Sequence, residues 1–287
     1  MTGLDDILFE PFAAYGFMRS ALVGVAALAL ANGPIGVLLL VRRMSLVGDV
    51  LSHAVMPGAA LGFALVGYSL LALSAGGVVT GLVVAVMSSA FTRLRGPQED
   101  VMLAVFYLLS LAIGVLLVTW RGSNADLMHV LFGTILAVDV PTLVLMAALA
   151  SVSVLALAAA YRPLLLESVD PGFLQAVSGG GQVYRLIFLV LVVLDLVAGF
   201  EAFGTLLAVG PLLLPAAAAR CWAERLAPAI ALSIGFGFLS GYIGLLFSFF
   251  LNLPSGPAIV LVAGALYLFS LVLKRYRRRA AMLPQTA

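Results

Sequence analysis

Charge is what this sequence has least of: 15 Lys+Arg and 13 Asp+Glu in 287 residues, or 10%, against 63% hydrophobic residues. Soluble domains are about half apolar and a quarter charged, so an ordinary globular enzyme is excluded. The near balance of the few charges leaves no basic face for nucleic acid, and a mean hydropathy of +1.19 is far from that of a disordered chain. Cysteine is almost absent. Cys221 alone can form neither an intrachain disulfide nor a thiolate metal cluster, and reads as a small residue in or near a helix. Lysine occurs once, as Lys274, and there is no G-x-x-x-x-G-K-[ST] stretch, so this chain does not hydrolyse ATP by the P-loop route. H-E-x-x-H and G-x-S-x-G are missing too, which leaves no constellation for intramembrane hydrolysis. The N-terminal MTGLDDILFEPF carries Asp5, Asp6 and Glu10 and no basic region, and so does not read as a cleavable signal peptide.

What is abundant is uninterrupted apolar sequence. The runs do not alternate, which argues against an outer-membrane barrel and for an all-α, polytopic helical membrane protein. At about 20 residues per crossing, Ser20–Val41 makes one span, and Val50–Thr92 makes two, broken near Gly67-Tyr68-Ser69. Val101–Trp120 and Val140–Tyr161 make one each, and Leu226–Leu273 makes a pair hinged at Asn252-Leu-Pro-Ser-Gly256. Leu186–Ala219 is too long for one crossing and short for two. It is read as two, at least one of them short or interrupted, with Gly199 as a possible break. The total is about nine spans, or eight if that stretch crosses once. With nine, 13 basic residues fall on one side and only Arg19 and Arg121 on the other. The positive-inside rule then puts the N-terminus outside and the KRYRRR tail in the cytoplasm. The resulting division is an extracytoplasmic segment over 1–19, a transmembrane domain over 20–273 and a basic tail over 274–287.

The first cytoplasmic turn leads into Asp49-Val-Leu-Ser-His53-Ala-Val-Met-Pro57-Gly58. Asp49 and His53 are spaced i,i+4, which places them on one helical face with Cβ atoms about 6 Å apart. Imidazole and carboxylate without thiolate suit zinc or manganese. Pro57-Gly58 loosens the helix, as expected where backbone lines a cavity. In the alternative reading Asp49 caps the helix and His53 hydrogen-bonds a neighbour. Asp195 and Glu201 are the other intramembrane acids, and each must face protein or water, because an anion in lipid costs about 3 kcal/mol. Asp126 and His129, spaced i,i+3, can also hold a metal, or sit on a surface helix with Asn or Asp near its start. Pro215 to Pro228, with Arg220, Glu224 and Arg225, reads as a short amphipathic cytoplasmic element bounded by prolines.

These segments resemble the ABC-type zinc/manganese permease family. The resemblance lies in Asn32-Gly-Pro-Ile-Gly36, Arg42 to Gly58, Asn124 to Val138, Leu212 to Ala217 and Leu253 to Leu261, in the family's order and over nearly the whole chain. It implies a homodimeric, type II (vitamin-B12-transporter-like) importer in the bacterial inner membrane. Its partners would be a second copy of the chain, cytoplasmic ATP-binding subunits and an extracytoplasmic metal-binding protein, and zinc or manganese would be cargo rather than a permanent cofactor. It further implies Asp49 and His53 as metal ligands; Asp195 and Glu201 are lesser candidates on their place in the membrane alone. Pro215, Arg220, Glu224 and Arg225 would lie in the ATPase-coupling segment over 215–228, and Arg19 would face acids on the binding protein. The chain departs from the family at Glu201-Ala-Phe-Gly204, where members often carry Lys, which reverses the charge near the outer end of the pathway. Two other readings stay open: a permease for a chelated metal, and an ATP-independent carrier or channel relaying protons through Asp195 and Glu201.

Overall fold

The computed structural model describes residues 4–67, 69–91, 97–121, 135–169, 181–204 and 207–282. Among them are eleven α-helices and one 3-10 turn, with no strand. The helices are α1 (Leu4–Ala14), α2 (Gly16–Val41), α3 (Ser45–Val66), α4 (Leu70–Phe91), α5 (Pro97–Arg121), α6 (Val140–Ala159), α7 (Tyr161–Val169), α8 (Gly181–Phe203), α9 (Val209–Trp222), α10 (Leu226–Leu251) and α11 (Ser255–Met282). Seven of them (α2, α3, α4, α6, α8, α10 and α11) are long and apolar enough to cross a membrane. The described apolar stretch of α5 is Ala104–Leu117, and α9 has only 14 residues, less than a full crossing of about 20.

The breaks fall where the backbone chemistry asks for them. Gly67 ends α3 with φ +81°, and Asn252 closes α10 in the left-handed region at φ +53°. Such conformations favour Gly and Asn over other residues. The awkward stretch does divide in two, but not at Gly199. Helix α8 runs straight through that residue and ends before Gly204, whose φ is +77°. The Pro215–Pro228 element also differs from expectation. Pro215 is buried inside α9 and Pro228 lies in the first turn of α10, so only the turn from Ala223 to Arg225 separates the two helices. Pro at a first helical turn loses no intrahelical hydrogen bond, which is why Pro228 starts a helix there. One helix was not anticipated. The N-terminal α1 stacks Phe12 on Tyr242 of α10 at 4.9 Å, and the Tyr242 hydroxyl donates to the Leu8 carbonyl at 2.8 Å.

Helix α2 is the axis of the bundle and is mostly buried. It packs on α10, α9 and α6, while α3 packs on α4 and α5, and α8 bridges the two groups through α6 and α4. In lipid, helix association rests on close packing rather than on hydrophobic expulsion, and small residues permit it. A Cβ at Gly36 would overlap the Leu212 carbonyl of α9, and Gly58 of α3 and Gly76 of α4 sit on each other's carbonyls in the same way.

One buried ion pair ties the end of α2 to α7. Arg42 Nη1 lies 2.6 Å from Glu167 Oε2, with the side chains 3% and 11% exposed. Its Nε donates to Ser168 Oγ and its Nη2 to the Leu164 carbonyl, both at 2.8 Å, and the guanidinium covers the Phe188 ring at 4.1 Å. Burial draws the Arg42 pKa down to about 10, against the pull of Glu167 and with a further push from Arg185. The group therefore stays charged at neutral pH. Breaking such a pair strands a buried charge, so Arg42→Ala or Glu167→Ala is expected to cost about 3 kcal/mol. Thermal unfolding of the purified protein in detergent reads this directly. The double change Arg42→Met/Glu167→Leu removes both charges and should recover most of the loss. A double variant as unstable as the single ones would contradict this account.

Candidate metal site

Asp49 and His53 lie in the second and third turns of α3, just past the turn made by Arg43 at φ +56°. Asp49 is the fifth residue of the helix rather than its cap, so its carboxylate is free of that duty. The helical spacing brings Asp49 Oδ1 to 3.9 Å from His53 Nε2. The two side chains differ sharply in surroundings: the carboxylate is 44% exposed and the imidazole 4%. The pair thus has one open side chain and one enclosed side chain. The Ser52 hydroxyl donates to the Asp49 carbonyl at 2.7 Å and is committed to the helix. Pro57, four residues after His53, has no N–H to give the His53 carbonyl, so an extra backbone oxygen is left without its helical donor beside the pair.

A bound divalent metal holds nitrogen and carboxylate oxygen each at about 2.0–2.2 Å. Two such bonds at a tetrahedral angle put the ligand atoms about 3.4 Å apart, so Asp49 needs to swing only about half an ångström to share an ion with His53. Two ligands are few, which suits a site that must release what it holds.

The imidazole is held from the other side by α5. The rings of His53 and Tyr107 meet edge to face, with centroids 4.6 Å apart and planes at 88°. His53 Nδ1 is buried and has no hydrogen-bond partner. Tyr107 escaped the sequence reading because it sits on a different helix, and nothing in its local spacing marks it.

Among the described side chains, the structure brings no other candidate to this pair. Among the described residues no three of His, Cys, Asp and Glu cluster as a metal site. Asp195 is 1% exposed on α8, and neither of its carboxylate oxygens has a hydrogen-bond partner. The backbone of Glu201 is in the last turn of α8, and its side chain lies outside the described residues, as do Asp126 and His129. Arg19 is exposed in the first turn of α2. Arg220 Nη1 donates to the Glu224 carbonyl at 2.7 Å, and the Lys274 ammonium donates to the Arg220 carbonyl at 3.3 Å, so α11 ties down the end of α9. Exposed Arg225 starts α10 beside them. Apolar packing of Val37, Leu40 and Val41 with Ala216, Ala223 and Leu226 puts this turn at the same end of the bundle as Arg42.

The profile of the ABC 3 transport family matches residues 14–274. The manganese import system permease protein ScaB of Streptococcus parasanguinis is 32% identical over 265 residues, 92% of this chain and 93% of its own. The manganese transport system membrane protein MntC of Halalkalibacterium halodurans is 32% identical over 260 residues, covering 90% and 88%. Among solved structures, PsaBC from Streptococcus pneumoniae in complex with Fab superposes with a TM-score of 0.85 at 30% identity, over 95% of this chain and 98% of that one.

Proposed function

The chain belongs to the ABC 3 transport family, and from that premise we propose that it carries manganese or zinc across a bacterial inner membrane through a site made by Asp49 and His53. It is an ABC-type permease, the membrane subunit of a divalent metal importer whose ATPase is a separate chain. The observation that carries the site is the 3.9 Å approach of an exposed carboxylate to an enclosed imidazole on one helix. The relatives named for manganese favour that cargo. Donor type alone does not choose between manganese and zinc, since affinity rises along the first-row series whatever the site.

In this reading two copies form the pathway. Nine crossings (the seven long helices with α5 and α9) leave the N-terminus outside and the C-terminus in the cytoplasm, which agrees with the basic residues gathered at the Arg42 end. The fold is then of the type II importer kind. Asp49 and His53 share the ion, and the pair gives it up when the helices shift. Asp195 and Glu201, on α8, are stations for the ion only in a conformation that opens α8. The turn around Arg220, Glu224 and Arg225, after Pro215, receives the push of the ATPase subunits, and Arg19 offers its charge to an extracytoplasmic metal-binding protein. Co-expression tests the reading. The chain should co-purify with an ATP-binding subunit from its own organism, and vesicles holding both should take up manganese or zinc only with ATP inside the ATPase compartment. Uptake by the chain alone, without ATP, would point to a secondary carrier instead.

A further inference from the structure

The imidazole that binds a metal through Nε2 must carry its remaining proton on Nδ1. Resident metal sites secure that proton with a carboxylate or carbonyl acceptor, which fixes the ring and makes it a stronger ligand. His53 has no such acceptor: its Nδ1 is enclosed and without a hydrogen-bond partner, while Nε2 is the nitrogen nearest Asp49. What meets the ring instead is Tyr107, edge to face at 4.6 Å. An aromatic face accepts an N–H weakly, as a second-order contact that orients more than it binds.

We propose that Tyr107 is a positioning residue for the metal: its ring takes the Nδ1–H of His53 and holds the imidazole in the tautomer whose Nε2 lone pair faces Asp49. This rests on the reading of Asp49 and His53 as the cargo site and adds what keeps that site weak. An aromatic face steers the ring without raising its basicity as a carboxylate does, so the ion is oriented but not trapped. The hold also depends on α5, which packs on α3 and on little else among the described helices. Its other face exposes Leu108, Leu109, Ile113 and Leu116, so a displacement of α5 relative to α3 lifts Tyr107 from His53.

The full-length protein in lipid nanodiscs, with nitrogen-15 in its histidines, gives the test. The chain has only 2 histidines, so the resonances lost in His53→Ala identify His53. At a pH where imidazole is neutral, free imidazole side chains place the proton mainly on Nε2. The proposal expects His53 to show the opposite, Nδ1–H, in the native protein and in Tyr107→Phe, and to revert towards Nε2–H in Tyr107→Leu. A packing role for Tyr107 would leave the tautomer unmoved by that change. Manganese uptake by the assembled transporter should fall about tenfold in Tyr107→Leu and be largely retained in Tyr107→Phe. Native His53 found as Nε2–H, or Tyr107→Leu keeping Nδ1–H, overturns the role given to Tyr107. Manganese binding and uptake unchanged in His53→Ala overturn the metal site itself, so the two failures are distinguishable.

Discussion

Manganese or zinc uptake is expected to fall to background in Asp49→Ala and in His53→Leu, by more than about 100-fold, since loss of an outer-shell partner alone costs 10–100-fold. Each change removes one of only two side-chain ligands, and no third acid, histidine or cysteine stands by among the described residues to replace it. His53→Leu is the more informative of the two. The imidazole is enclosed and its Nδ1 has no hydrogen-bond partner, so an apolar side chain of similar size should fold as well or better. A protein with an undiminished unfolding midpoint and no uptake would separate transport from stability. Retained uptake at equal expression would move the site elsewhere, first to Asp195.

Gly36→Leu should abolish the folded protein. The Gly36 backbone lies against the Leu212 carbonyl, and a side chain there can be housed only by prising α2 from α9. Overpacking a core costs about 1–3 kcal/mol when side chains can yield. Here the obstacle is backbone, so the cost should exceed that range. Loss of a monodisperse peak after detergent extraction would report it. Gly235 and Gly264 provide the contrast, because a Cβ at either meets nothing within 4 Å. Gly235→Ala should be neutral or stabilising by about 0.5–1 kcal/mol, as expected for Gly to Ala inside a helix. Equal tolerance at Gly36 and Gly235 would mean that the close α2–α9 approach is not needed.

The contrast between these positions shows how far the chain can be read without its fold. Apolar runs separated by a few charges mark spanning helices because lipid requires each backbone to satisfy itself within the segment. Turns at Gly67 and Asn252 are visible because few other residues tolerate their φ. Asp49 and His53 are legible for the same reason: a helix brings i and i+4 together whatever surrounds it. Gly199 misled because a glycine inside a helix is tolerated once its neighbours are packed, and the chain breaks at Gly204 instead. Pro215 likewise sits inside a helix, buried with Pro211, Leu212, Ala216, Ala218 and Ala219.

Whatever depends on two helices meeting was invisible along the chain. Glu167 is 125 residues from Arg42, and Tyr107 is 54 from His53, so no spacing rule connects them. The same holds for Gly36 under the Leu212 carbonyl and for Asp195 sealed away from the metal pair. Periodicity and composition are local properties, and they determine which segments are helices, which of them seek lipid, and which side chains share a face. Which face meets which neighbour depends on the packing of the whole bundle. That packing encloses His53 while leaving Asp49 open, a difference that the i,i+4 spacing alone does not contain.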